Sequence, residues 1–270
     1  LFLINTKKDL PNPKAEEFTK FMSIRKRRSY LETIASLNTR LLWPDISVSY
    51  SQKVFEVHDF YLRLLPNYVV KYIGIPTYDY LAGLRANTLL SRSIILIDQG
   101  LSNRNFFGWN SENFEELLTN LIKISSTKGF TLYIKPHPTH LQFRKNYSKL
   151  LHNKTQIIDD AQLESVIAKT PIIIGFFSTL LLPLAALPHT TLITLENHPA
   201  GKLDVSKSFI DAGVAHPVYS LEELPWALEH IELLHQQQLP NKKKFEEEWL
   251  YKFDGKAGER LRDILLSDEL

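Results

Sequence analysis

From about Ser93 onward the chain alternates two periodicities, and this alternation constrains the fold more than any other feature. Short apolar, β-branched runs occur at "SIILID" (93–98), "FTLYIK" (130–135), "TQIID" (155–159), "PIIIGFF" (171–177) and "TTLITL" (190–195). Between them lie "SENFEELLTNLIKISS" (111–126), "DAQLESVIAK" (160–169) and "STLLLPLAAL" (178–187). Strands that read as continuous apolar runs are buried on both faces, and only a parallel sheet wrapped by helices provides two covers. In the first intervening segment Phe114, Leu117, Leu118, Leu121 and Ile122 recur at helical spacing, with Ser111 as its expected cap. The pattern predicts an α/β domain with a Rossmann-type parallel sheet over about 76–240.

The flanks are less regular. Residues 220–238 and 242–266 predict helices, with "PNK" and "DGKAG" as breaks, so 241–270 reads as a C-terminal helical piece. Residues 1–75 predict one helix at about 14–38 and short irregular pieces around "WPDIS" and "PNYVVKYIGIPTYDYL". They are too few for a second complete α/β domain and are expected to form a partial one.

Charge and composition remove several function classes. A formal net charge of +2 does not call for a nucleic-acid partner, and no basic-aromatic interleaving appears. With no cysteine in the chain, disulfide frameworks and thiolate zinc sites are excluded. No apolar run reaches the roughly 18 residues that suggest a membrane span. The run "IRKRR", containing Arg25, Lys26, Arg27 and Arg28, reads either as a solvated helix face or as a patch for peripheral contact with anionic lipid.

In a parallel sheet, ligands sit beyond the carboxyl ends of the strands, so the residues following each strand are the candidates. In "IDQG", Asp98 ends a strand and Gly100 permits a tight turn; Asp98 is either a general base or nucleophile, or a loop cap. In "YIKPHPTH", Pro136 and Pro138 stiffen the chain on both sides of His137, presenting its imidazole at low entropic cost. That histidine can donate to a phosphate oxygen or protonate a leaving group; the alternatives are a plain surface turn, or a metal held with His140. In "GFFST", Gly175 ends a strand while Ser178 and Thr179 open a helix, which suits an anion or simply caps the helix. Pro183 complicates a helix that starts at Ser178. Asp98, His137 and Ser178 also stand in the order of one serine-hydrolase triad, although "GFFST" is not a nucleophile elbow.

"KPHP" followed by "FFST" resembles the HP and serine motifs of bacterial sialyltransferases of the GT-B kind, especially lipooligosaccharide sialyltransferases. The likeness continues through "PHTTLITLENHP" and "FIDAGVAHPVY", covering roughly Ser93 to Ser220. "ILIDQG" with "KPHP" is also similar to the pattern of capsule-type Kdo transferases, whose donor is again CMP-linked. "YIGIPTYDYL" resembles the junction before the second domain of surface-polysaccharide transferases such as CDP-glycerol transferases, and "DGKAGERL" the opening of their final helix. Where sialyltransferases of this type often carry an acidic pair before a glycine, Asp98 is followed by Gln99.

The resemblance implies a GT-B-like fold with a reduced or truncated N-terminal domain at 1–75, on the acceptor side, before a nucleotide-sugar domain at 76–240. It implies transfer of sialic acid or a related nonulosonic acid from a CMP-sugar to a cell-surface oligosaccharide or glycolipid, in lipopolysaccharide or capsule synthesis. Asp98 and His137 would be catalytic. Gly100, Lys135, Pro138, Gly175, Ser178, Thr179 and Glu196 would bind the donor, with Glu196 on the ribose or cytosine. No cofactor and no metal are expected, and the location is cytoplasmic or peripheral at the inner membrane. A non-catalytic glycan-binding remnant of the fold is the competing reading.

Overall fold

The computed structural model describes residues 2–4, 46–58, 69–84, 91–140, 142–151 and 154–267. The helix expected at 14–38 and the basic run at 25–28 lie outside these residues. In chain order the elements are β1 (Phe2–Ile4), β2 (Ile46–Ser49), α1 (Gln52–His58), β3 (Val70–Tyr72), β4 (Ser93–Ile97), α2 (Leu101–Arg104) and α3 (Ser111–Thr127). They continue with β5 (Thr131–Lys135), α4 (Phe143–Tyr147), β6 (Thr155–Ile157), α5 (Asp160–Ile167), β7 (Ile172–Gly175), α6 (Leu181–Ala186) and β8 (Thr191–Leu195). The remainder is β9 (Asn197–His198), β10 (Gly201–Lys202), α7 (Lys207–Asp211), β11 (Ala215–Val218), α8 (Leu224–Glu229), α9 (Ile231–Trp249) and α10 (Ala257–Leu266). Two compact units result: Leu1–Asp79 with Glu247–Leu270, and Tyr80–Glu246.

In the larger unit six strands pair in the order β11-β8-β7-β4-β5-β6, every pair parallel. The chain winds outward from β4 to β6, returns to β7 on the other side of β4, and winds outward again to β11. Strand order therefore reverses between β4 and β7, the place where a doubly wound sheet opens a crevice at its carboxyl edge. In register, Ile94 faces both Leu132 and Ile172, and Ile172 faces Thr191. Alternate strand residues Ile94, Leu96, Leu132, Ile134, Ile172, Ile174, Ile193 and Leu195 join α3 residues Phe114, Leu117, Leu118 and Leu121 in one buried cluster. The five strands and first two helices read from the sequence appear with shifts of one or two residues at their ends. β11 was not read as a strand; "AHPV" holds a proline, which an edge strand accommodates.

Local chemistry explains several boundaries. α3 is capped by Asn110, not Ser111: the Asn110 side chain accepts from Asn113 N–H at 2.9 Å and Asn113 returns a bond to Asn110 N–H. Asp159 and Gln162 repeat that reciprocal box on α5. α6 begins at Leu181, with Leu180 at its cap, so Ser178 and Thr179 form the turn before it. Pro183 then falls in the first helical turn, where its missing N–H has no helical acceptor to lose.

The break expected at "PNK" is absent, since Pro240 lies inside α9. Anchors on both sides hold the helix through the proline. Gln238 accepts from Leu192 N–H at 3.0 Å and donates to Leu192 O at 2.9 Å, while Lys242 Nζ donates to Ala185 O at 2.6 Å. Phe245, fully buried, packs on Phe209 with ring centroids 5.6 Å apart. Tertiary bonds thus offset the local proline penalty of roughly 3 kcal/mol.

In the smaller unit the pieces expected to be irregular are strands: β2 pairs antiparallel with β1 and parallel with β3. Ile46, Val48 and Ile73 form its buried cluster against Leu261 and Ile264 of α10. The "YIGIPTYDYL" and "DGKAGERL" segments meet here, because Asp79 accepts from Ala257 N–H at 3.0 Å and Gly258 N–H at 2.7 Å, capping α10.

Candidate active site

The carboxyl edge of the six-stranded sheet gathers the loops after β4, β5, β7 and β8. Asp98, directly after β4, is 2% exposed. Its Oδ1 accepts from Gly100 N–H at 2.7 Å, and its Oδ2 accepts from His137 N–H at 3.0 Å and from His140 Nδ1 at 3.1 Å. No part of the side chain reaches solvent. In this position Asp98 ties the β4 and β5 loops together. Of the roles expected from the sequence, these bonds match the loop cap.

Gly100 has φ 66°, and a Cβ there would lie 3.2 Å from the His137 ring, so the missing side chain is what lets the imidazole approach. The His137 ring is half-buried. Its Nδ1 accepts from Thr139 N–H at 3.1 Å and lies 2.7 Å from Thr139 Oγ1. An Nδ1 used as acceptor puts the proton of the neutral ring on Nε2, which has no partner among the described residues. Burial, then the positive charge of Arg104, holds His137 below the ordinary imidazole range. At neutral pH the site therefore presents an Nε2–H donor. The arrangement also dissolves the triad order, because Asp98 contacts the backbone of His137 and the ring of His140, not the ring of His137.

His140 is buried beside Phe143, at 4.9 Å between ring centroids, and beside Asp98, so it does not pair with His137 around a metal. Lys135 is buried rather than solvent-facing, 7% exposed. Its Nζ reaches Asp160 Oδ1 at 3.1 Å and Pro136 O at 3.1 Å, fastening the end of β5 to the start of α5. Pro138 is exposed beside His137.

After β7, a Cβ on Gly175 would meet Leu181 side-chain atoms at 3.0 Å and 3.1 Å, so this glycine serves the close packing of α6. Ser178 is half-exposed and Thr179 exposed. Ser178 Oγ accepts from Leu180 N–H at 3.4 Å, and among the described residues the amides of Ser178 and Thr179 donate to nothing. This turn offers two amides and two hydroxyls at the same sheet edge as His137, which is the donor set an anion requires.

After β8, Glu196 is 0% exposed. Its Oε2 accepts from Ser206 N–H at 3.3 Å, and Ser206 Oγ in turn donates to Phe176 O, while Oε1 is buried without a partner among the described residues.

Sequence reasoning missed the segment that bridges these loops. The stretch after β4 touches the His137 loop at Gly100, and Phe107 O accepts from Ala200 N–H at 3.0 Å beyond β8. Phe107 also packs edge-on to Phe177 at 5.8 Å. Trp109 Nε1 donates to His198 Nδ1 at 2.9 Å, and burial lowers the His198 pKa to about 4. Asn105 and Phe107 adopt positive φ of 50° and 53°. Left-handed backbone at a phenylalanine has no sequence signal; in "NRNFFGW" the turn residues are the asparagines and Gly108.

Among the described residues no helix is long and apolar enough to cross a membrane. Comparison with known proteins adds three findings. A family model described as alpha-2,8-polysialyltransferase (POLYST) matches residues 10–197. The structure is similar to that of the wall teichoic acid polymerase TagF, with TM-score 0.55 and 12% identity over 98% of this chain and 63% of that one. A structure of the same polymerase soaked with CDPG gives TM-score 0.54 and 14% identity over 97% of this chain and 63% of that one. The chain thus spans less than two thirds of the length of these structures, and the likeness shows the α/β, GT-B-like fold. No curated protein matches the chain.

Proposed function

The chain belongs to the alpha-2,8-polysialyltransferase family, and from this premise we propose that it is a glycosyltransferase moving sialic acid, or a related nonulosonic acid, from a CMP-sugar to a surface glycan. The observation that carries the reading is His137, with Nδ1 occupied by Thr139 and an Nε2–H that has no partner among the described residues, at the carboxyl edge of the sheet. That group donates to the CMP phosphate and strengthens as negative charge accumulates on the departing nucleotide. The Ser178 and Thr179 amides and hydroxyls hold the same phosphate. Glu196, with one carboxylate oxygen unpartnered, accepts from hydroxyls of the ribose or from cytosine. Asp98 and Lys135 act one step back: Asp98 sets the His137 loop, and Lys135 fixes α5 against β5.

One phosphate is the whole leaving-group charge of CMP chemistry, so a neutral histidine and a turn of free amides suffice without a divalent ion. Treatment with a chelator is expected to leave turnover unchanged; its loss would reinstate a metal. The acceptor is an oligosaccharide or glycolipid, and peripheral membrane contact through Arg25, Lys26, Arg27 and Arg28 belongs to the same proposal.

The deciding experiment incubates the purified protein with CMP-Neu5Ac, CMP-Kdo or CDP-glycerol, with and without a sialylated or lactose-terminated acceptor, following nucleotide release by NMR. Acceptor-dependent release from CMP-Neu5Ac is expected. Release from CMP-Kdo or CDP-glycerol alone would reassign the sugar, and no release with no CMP binding would make the chain a glycan-binding remnant of the fold.

A further inference from the structure

A CMP-linked keto acid carries two anions close together, the phosphate and the carboxylate on the anomeric carbon. The groups assigned so far supply hydrogen bonds but no permanent positive charge, since Lys135 is engaged by Asp160 and Pro136 O. The missing cation lies in the segment after β4. Leu101 and Ser102 of α2 are buried, whereas Asn103 and Arg104 are exposed. Asn103 Nδ2 donates to Thr139 O at 3.1 Å, which locks α2 onto the histidine loop two residues beyond His137.

Arg104 follows directly, and its guanidinium has no carboxylate within ion-pair distance among the described residues. The exposed ring of Phe106 lies 5.9 Å from the guanidinium carbon, and the charge of Arg104 acts on His137. Both ends of the segment are held: Gly100 abuts the His137 ring, and Phe107 is bonded to Ala200 and packed on Phe177. Between them Asn105 and Phe107 turn left-handed, at about 1–2 kcal/mol for the phenylalanine. Such backbone persists where its surroundings over-determine it, as they do at a site that must hold one side chain in place.

We propose that Arg104 is the residue that binds the donor carboxylate, its planar fork closing on that group while His137 Nε2–H holds the phosphate. The inference rests on the keto-acid donor proposed above. It gives the site a means of preferring a carboxylated sugar over a donor that offers phosphate alone, because a guanidinium matches a carboxylate through two parallel hydrogen bonds.

The test measures binding of CMP, CMP-Neu5Ac and CMP-Kdo by calorimetry to the wild type, Arg104→Gln and Arg104→Lys, with circular dichroism to verify folding. Arg104→Gln is expected to weaken the carboxylated donors about 10- to 100-fold, the size of a lost charge-assisted contact, while changing CMP affinity less than about threefold. Arg104→Lys is expected to recover part of the loss. Equal losses for CMP and the sugar donors would move Arg104 to the phosphate and overturn the assignment. No loss for any of them would remove it from the site. A wild type that binds neither sugar donor would defeat the functional reading itself and Arg104 with it, whereas a wild type that binds and variants that match it would defeat Arg104 alone.

Discussion

Replacing Asp98 by asparagine separates an anchoring role from a chemical one. In the wild type the carboxylate receives three donors, at 2.7 Å from Gly100 N–H, 3.0 Å from His137 N–H and 3.1 Å from His140 Nδ1. An asparagine of the same shape has one oxygen and one NH2 group, so at least one backbone N–H must face another donor. Hydrogen bonds to a charged group are worth about 1.5–3 kcal/mol each, and a buried donor left unsatisfied costs about 1–3 kcal/mol. Asp98→Asn should therefore lose roughly 2–4 kcal/mol, and Asp98→Ala, which strands all three donors, about 3–6 kcal/mol. Urea titration gives the stability change, and amide exchange at Gly100 and His137 locates it. Donor affinity should fall in the same variant, because the His137 loop loses its tie to β4. A variant within about 0.5 kcal/mol of the wild type, with native exchange at both amides but no turnover, would refute the anchor and restore Asp98 as the base.

Three further outcomes are expected. His137→Ala should reduce transfer at least about tenfold with stability little changed, since the ring is half-buried and its Nε2 is free; near-wild-type turnover would remove it from the phosphate. His198, whose pKa burial lowers to about 4, cannot take a proton in the folded state where the unfolded chain does. Its contribution is thus present above about pH 6.5 and lost as pH falls toward 4, amounting to about 2–3 kcal/mol. His198→Gln, which keeps an acceptor for Trp109 Nε1–H, should flatten that part of the stability profile, and an unchanged slope would place the titration elsewhere. Asp79→Ala should cost about 0.5–2 kcal/mol as a lost helix cap, with faster exchange at Ala257 and Gly258; unchanged protection there would show that α10 does not depend on the cap.

Much of the larger unit was legible because its signals are local. Ile-rich runs such as "SIILI" and "PIIIG" fit a sheet covered on both faces, and the 3.6-residue recurrence of Phe114, Leu117, Leu118 and Leu121 fits one face of a helix. The stiffness around His137 likewise follows from its two flanking prolines, whatever surrounds it. Boundaries were less legible where a neighbour one residue away offered the better bond, as Asn110 does over Ser111. Pro240 reads as a break because local rules stop at the backbone, whereas Gln238 and Lys242 find partners on β8 and in α6.

By itself, then, the amino-acid order determined that strands and helices alternate and that a rigid histidine corner follows the second strand of the sheet. Which charged groups remain available there was decided by tertiary structure. The adjacency of β4 and β5 turned Asp98 toward the amides of the next loop, the start of α5 brought Asp160 to Lys135, and the seating of α2 on Thr139 left Arg104 with no carboxylate partner among the described residues. The physical reason is range: backbone dihedrals and side-chain periodicity are set within a few residues, while burial and the choice of hydrogen-bond partner depend on which strand ends become neighbours.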